Sequence, residues 1–179
     1  MDSTVGAPRE IAVPVSVFGS LREELSKEAG TLPAVHALHS AGYHAGTTAA
    51  TTLVGASGNG AGIAQDAFWA RVSEFFQTRG WGEIRHEPVH GAIGFLTSSD
   101  WAESNPDEVD PDASCFFSTG FLSGLLSALA GGPVAVLEIG CRTRGEKHCR
   151  FAFGSETAIH RLYGQLLDGV GLAEALDAL

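Results

Sequence analysis

Residues 134–153 read Val-Ala-Val-Leu-Glu-Ile-Gly-Cys-Arg-Thr-Arg-Gly-Glu-Lys-His-Cys-Arg-Phe-Ala-Phe. Two apolar runs, 134–142 and 147–153, flank a tight polar turn at Arg144-Gly145-Glu146, the pattern of a β-hairpin. Cys141 and Cys149 stand at the two ends of that turn, so pairing of the strands brings their thiols close together. Glu138 lies three residues before Cys141. In a regular strand, positions three apart face opposite sides. Gly140, between them, offers a bulge that would turn both side chains toward one site.

Upstream, Gly131-Gly132-Pro133 ends an apolar helix predicted over 113–130, and Cys115 falls in its first turn. The partial positive charge of a helix N-terminus favours a thiolate there. Cys115, Cys141, Cys149 and Glu138 together supply three sulfurs and one carboxylate, enough to fill the four tetrahedral positions of a zinc ion. A site so filled keeps no open position, so it would be structural. Arg142, Arg144, Lys147 and Arg150 flank the ligands and can offset the excess negative charge. On spacing alone two readings stand: a metal centre, or three reduced cysteines buried in a core. His148 is a rival fourth ligand, but as the strand neighbour of Cys149 it should point the other way.

The remaining chain reads as helices followed by strands. Val17, Phe18, Leu21 and Leu25 mark a helix over 16–29, stopped by Gly30. An Ala-rich helix follows over 33–54, with Gly42 and Gly46 four apart. Residues 55–62 are a Gly-rich loop. Ala64, Phe68, Val72, Phe75 and Phe76 mark an amphipathic helix over 64–79. The period then changes to two, predicting strands 81–89 and 92–98, an acidic loop over 99–112, and the helix and hairpin already described. Ser155 is an N-cap for a last helix with Ile159, Leu162, Tyr163, Leu166 and Leu167 on its buried stripe. The expectation is an α+β domain of antiparallel hairpins covered by helices over 16–179, with an N-terminal arm over 1–15.

Composition narrows the function classes. The chain has 179 residues and a formal net charge of -10, which disfavours direct contact with phosphate backbones or an anionic membrane surface. No apolar run is long enough to span a bilayer. Met1 to Glu10 lack the features of a signal peptide, and three cysteines make a poor disulfide scaffold, so a cytoplasmic location is expected.

The segments Gly120-Phe-Leu-Ser-Gly124, Val136-Leu-Glu138-Ile-Gly-Cys141 and Gly145-Glu-Lys-His-Cys149-Arg-Phe151 resemble the 4-vinyl reductase domain family. The upstream Gly80-Trp81-Gly82 before paired strands fits as well. The likeness runs from about residue 20 to 168 and is most specific over 115–153. That family includes the sensor domains of phenol- and xylene-responsive activators and a protein of bacteriochlorophyll synthesis. Its fold is similar to the haem nitric-oxide-binding and TRAPP-subunit folds. The resemblance implies Zn2+ on Cys115, Glu138, Cys141 and Cys149, beside a buried pocket. It also implies a homodimer formed through the N-terminal region, residues 1–29 here. The aromatic sensors hold a phenolic oxygen with a Trp and a His. The corresponding strand here reads Phe95-Leu96-Thr97-Ser98, with Trp101 a few residues late, so phenol is not the ligand expected. Neither the ATPase nor the helix-turn-helix part of those activators is carried by this chain.

A binding module for a small hydrophobic or aromatic molecule is therefore expected, with Phe95, Thr97, Trp101, Phe116, Phe117, Gly120, Phe121 and Gly124 as its pocket. The alternatives are an enzyme or accessory protein of tetrapyrrole vinyl reduction, and a dimeric structural adaptor. Against catalysis, no Ser-His-Asp, Cys-His or paired-carboxylate arrangement falls at useful spacing. The loop Gly55-x-x-Gly58-x-Gly60-x-Gly62 follows no strand and lacks the Lys-Ser/Thr of a phosphate loop. His36, His39 and His44, on one helix, read as solvated, as do His86 and His90 on a hairpin. Asp107, Glu108, Asp110 and Asp112 lack the calcium-loop pattern. Gly42, Gly46, Gly120 and Gly124 leave room between helices, either for backbone packing or for a cavity.

Overall fold

The structure, a computed structural model, describes residues 9–54, 64–107 and 115–179. Three helices come first: α1 (Ser16–Ala29), α2 (Thr31–Val54) and α3 (Gln65–Gln77). Strands β1 (Arg85–His90) and β2 (Ile93–Ser98) follow, then α4 (Phe116–Ala130), β3 (Ala135–Gly140) and β4 (Cys149–Gly154), and finally α5 (Glu156–Leu167) and α6 (Leu172–Asp177). All strand pairs are antiparallel, in the order β1-β2-β4-β3. The expected α+β class, with antiparallel hairpins under helices, is the one found.

Both faces of the sheet are buried, and the period of two assigns residues to each. Leu96, Cys149 and Phe151 face a core shared with α3 and α4, in which Val72, Phe76, Leu122 and Leu125 are fully buried. Ile93, Phe95 and Ala152 face α5 and α6, against Ile159, Leu162 and Ala175. Ser155 caps α5, its side chain accepting the Ala158 N–H at 3.2 Å. α6 was not foreseen. It is a single amphipathic turn and a half after Gly169 and Gly171, held by burial of Ala175 and Leu176 rather than by any long periodic pattern.

Two boundaries differ from expectation for identifiable reasons. The strand expected from 81 begins only at Arg85, because Gly80 and Gly82 adopt φ of 77° and 109°, which no strand allows. The β3–β4 connection is one 3-10 turn, Arg142–Arg144, closed by Gly145 at φ 89°, so it starts two residues earlier than the tight turn expected. The Gly-rich loop and most of the acidic loop lie outside the described residues.

α2 and α4 cross in unusually close contact. A Cβ placed on Gly42 or Gly46 would collide with Phe117 O or Phe121 O, and one on Gly120 or Gly124 with His39 O or Tyr43 O. The four glycines therefore serve backbone-to-backbone packing, and the space they leave is filled. α1 buries no residue completely. Among the described residues, no helix is long and apolar enough to cross a membrane.

Candidate metal centre

Three separate elements deliver the four predicted ligands to one point. Cys115 is the N-cap of α4, Glu138 and Cys141 bracket the end of β3, and Cys149 opens β4. The β3–β4 register slips between Glu138 and Gly140: Glu138 pairs with Phe151 and Gly140 with Arg150. This is the bulge expected at Gly140. It allows two residues three apart to reach one side of the sheet.

The ligand atoms of Cys115, Glu138, Cys141 and Cys149 all lie within 4.8 Å of one another, and all four residues are buried. Cys115 Sγ is 3.9 Å from Cys141 Sγ and 4.0 Å from Cys149 Sγ. A tetrahedral ion with metal–sulfur bonds of about 2.3 Å has sulfur–sulfur edges of about 3.8 Å. The donor set thus has the size, number and chemistry needed to hold a metal ion. Hydrogen bonds from the Cys115 and Cys141 thiols hold Cys149 down at about 4, while the same contacts and burial push Cys115 well up. Thiolate character is thereby present in the cluster, which metal binding requires.

Backbone groups fix these side chains. The Cys115 N–H donates to Glu138 Oε2 at 2.8 Å, so one carboxylate both belongs to the cluster and caps α4. Cys141 O accepts from Arg144 N at 3.1 Å and from Glu146 N at 3.2 Å, closing the turn. Arg142 reaches Ser104 Oγ at 3.2 Å, and Asn105 N–H donates to Thr143 Oγ1 at 2.8 Å. His148 is exposed and outside the cluster.

A carboxylate that sequence reasoning missed stands at the same helix end. Glu103 accepts the Phe117 N–H at 3.0 Å and the Ser118 N–H at 2.7 Å, and Ser118 Oγ also donates to it. Trp101 Nε1 donates to Ser118 Oγ at 2.7 Å. Burial pushes Glu103 up to about 7, against the pull of the Ser118 hydroxyl and the two N–H donors, with the Glu138 charge adding to the rise. The only signal in the sequence was Trp-Ala-Glu closing a strand and a serine one turn after Cys115.

A carboxyl that holds its proton to about 7 when folded, against a usual 4.5, binds more protons in the folded than in the unfolded chain across that window. Stability should therefore fall as pH rises from 4.5 to 7 and level off above, by up to roughly 3 kcal/mol at about 1.4 kcal/mol per unit. Urea denaturation of native protein and Glu103→Gln between about pH 5 and 7.5 should show the steeper fall in the native protein. Equal slopes would remove Glu103 as its source.

The residues expected to line a pocket separate into two groups. Trp101 is fully buried, with Phe76, Trp81 and Phe151 at centroid distances of 5.1, 5.5 and 5.7 Å. Phe117 and Phe121 join this core through Trp81 at 6.0 and 5.7 Å, and Phe18 of α1 covers Trp81 and Phe117 at 5.3 and 5.4 Å. Gly120 and Gly124 lie at the α2 seam. Phe116 is half-buried at the start of α4. Phe95 lies on the other face of the sheet, under the Arg150 guanidinium, and Thr97 shares its parity. His36, His39 and His44 are exposed. His86, expected to be solvated, is instead half-buried and stacked on Trp69 at 4.2 Å, because β1 packs against α3.

Residues 109–155 match the model of the 4-vinyl reductase domain. No curated protein sequence matches the chain significantly. Among solved structures, the chain is similar to the phenol-responsive sensory domain of the transcription activator PoxR with phenol, at TM-score 0.70 and 22% identity over 83% of this chain and 77% of that one. It is also similar to a trafficking protein particle complex subunit 3 from Naegleria fowleri covalently bound to palmitic acid, at TM-score 0.59 and 14% identity over 78% and 91%. A vinyl-4-reductase family protein from Methanocaldococcus jannaschii aligns at TM-score 0.51 and 13% identity over 81% and 83%. At these identities the structural likeness establishes a shared fold, and the domain match spans all four residues of the cysteine and glutamate cluster.

Proposed function

We propose that this chain, which shares its fold with the phenol-responsive sensory domain, is a sensor-type domain that binds a small hydrophobic or aromatic molecule beside a closed structural zinc centre. The observation that carries the reading is the cluster of three sulfurs and one carboxylate within 4.8 Å, set directly against an aromatic core. Cys115, Glu138, Cys141 and Cys149 would hold the zinc. Its contribution is to lock the β3–β4 turn onto the first turn of α4. With all four positions taken by protein, the ion has no place for a substrate.

The ligand would enter among Phe18, Trp81, Trp101, Phe117 and Phe121. Phe18 and Trp81 are only half-buried, and α1 is attached through few deep contacts, so α1 can move to admit a guest. Flat apolar molecules suit this lining, since rings there meet other rings at stacking distances. Ile11, Val13, Val15, Leu21 and Leu32 are left exposed at 45–87% along the arm, α1 and the start of α2. A second copy covering them accounts for that surface, so the domain would act as a homodimer. Reduced, metal-bound cysteines suit a cytoplasmic setting.

Elemental analysis of protein purified without added zinc should give about one zinc per chain, the capacity of one tetrahedral site. Mass spectrometry of the same sample under mild and denaturing conditions should reveal a co-purified apolar molecule. Metal-free native protein would overturn the zinc assignment. Protein whose melting temperature no hydrophobic compound raises would overturn the sensor reading.

A further inference from the structure

Glu103, Ser118 and Trp101 form an internal chain of hydrogen bonds that neither zinc ligation nor an apolar pocket uses. Its geometry is directional. The Trp101 indole donates to Ser118 Oγ at 2.7 Å, Ser118 Oγ donates to Glu103, and Glu103 takes the N–H groups of Phe117 and Ser118. Ser118 is one helical turn after Cys115, and it is completely buried. The loop carrying Glu103 also grips the other side of the cysteine cluster. Ser104 Oγ donates to Trp101 O at 2.6 Å and accepts from Arg142, and the Asn105 N–H donates to Thr143. Thus one loop, 98–105, is bonded both to the helix turn that delivers Cys115 and to the turn that delivers Cys141.

We propose that Glu103 and Ser118 are positioning residues of the metal centre, and that they join it to Trp101, so that the cysteine cluster and the aromatic core shift as one unit. This rests on the zinc reading above and adds the route by which the two halves of the site communicate. Glu103 is fitted to the role because its two acceptor oxygens serve two backbone N–H groups and one hydroxyl of the same helix turn. A carboxamide of equal size has one acceptor oxygen and cannot serve all three. Groups that orient metal ligands in this way typically change metal affinity by about 10–100-fold when altered. Displacement of the first turn of α4 moves Cys115 Sγ and Ser118 Oγ together, and the indole follows because its only hydrogen-bonding atom is held there.

The test uses the full chain labelled with 5-fluorotryptophan, whose three resonances are assigned by single Trp→Phe changes. Exchange of zinc for cadmium, a larger ion that also prefers thiolates, keeps the site filled while altering its size. The Trp101 resonance should move, and that of Trp69, stacked on His86 away from the cluster, should stay. In Ser118→Ala the Trp101 resonance should no longer follow the exchange. In Glu103→Gln, chelator competition should show zinc held about 10-fold more weakly. A Trp101 signal indifferent to exchange in native protein shown by elemental analysis to hold cadmium would overturn the coupling, whatever the variants do. Native zinc affinity in Glu103→Gln would overturn its positioning role. A native protein that takes up neither metal would overturn the zinc reading itself, and elemental analysis shows this before any spectrum is recorded.

Discussion

Replacing Gly46 by alanine is expected to unfold the domain at ordinary temperatures. The added methyl would collide with Phe121 O and sit 2.8 Å from Phe121 C and 2.9 Å from Leu125 N. These are backbone atoms of α4, so no rotamer change relieves the clash, and the helices must separate. Separation also opens the contacts at Gly42, Gly120 and Gly124, which face the other helix's backbone just as closely. Overpacking a core site costs typically about 1–3 kcal/mol and occasionally more. Here one substitution strains a seam of four contacts, against a total stability of roughly 5–15 kcal/mol. The ordinary helical gain of about 1 kcal/mol from Gly to Ala is too small to compensate. Gly164 in α5 is the control, since a Cβ there meets nothing within 4 Å. Gly164→Ala should raise the thermal midpoint slightly while Gly46→Ala abolishes the cooperative transition. A native melting curve for Gly46→Ala would show that α2 and α4 do not cross as described.

This seam illustrates where local reading stops. The glycine spacing marked the faces, but whether the room held a backbone or a ligand depends on which helix crosses which, and that is a tertiary fact. The hairpin was legible because strand period, turn residues and the bulge at Gly140 all act over a few residues. The cysteine cluster followed from it, since Cys141 and Cys149 are brought together by the turn itself. Glu103 and Ser118 were not legible. They are 15 residues apart in sequence, and a lone carboxylate in an acidic stretch looks like any solvated one. Phe95 and Trp101 are both apolar residues near the end of β2, but strand parity sends Phe95 to the α5 face and the turn after Ser98 returns Trp101 to the opposite one. α6 escaped because six residues are too few for a periodic signal.

Removing the metal, or one of its thiolates, should be nearly as damaging as breaking the seam. The four ligands come from three elements, with Cys115 separated by 26 and 34 residues from Cys141 and Cys149. One ion therefore replaces contacts that the chain would otherwise close at an entropic cost. Without it, the buried Glu138 carboxylate and the thiolate character held at Cys149 lose the charge that balances them, and both are almost wholly screened from water. Uncompensated buried charge costs several kcal/mol. For a chain of this size each kcal/mol shifts the melting point by about 2–4 °C, so a loss of about 4 kcal/mol or more lowers it by roughly 10 °C or beyond. Cys149→Ser should therefore bind no zinc and melt at least that much lower, and a strong chelator should bring native protein to the same point. His148→Ala should do neither, because His148 is exposed beside the cluster and contributes no ligand atom to it. Full zinc content in Cys149→Ser, or loss of zinc in His148→Ala, would reassign the fourth corner of the tetrahedron. A chelator that leaves the melting point of zinc-loaded protein unchanged, while stripping the ion completely, would make the centre incidental to the fold.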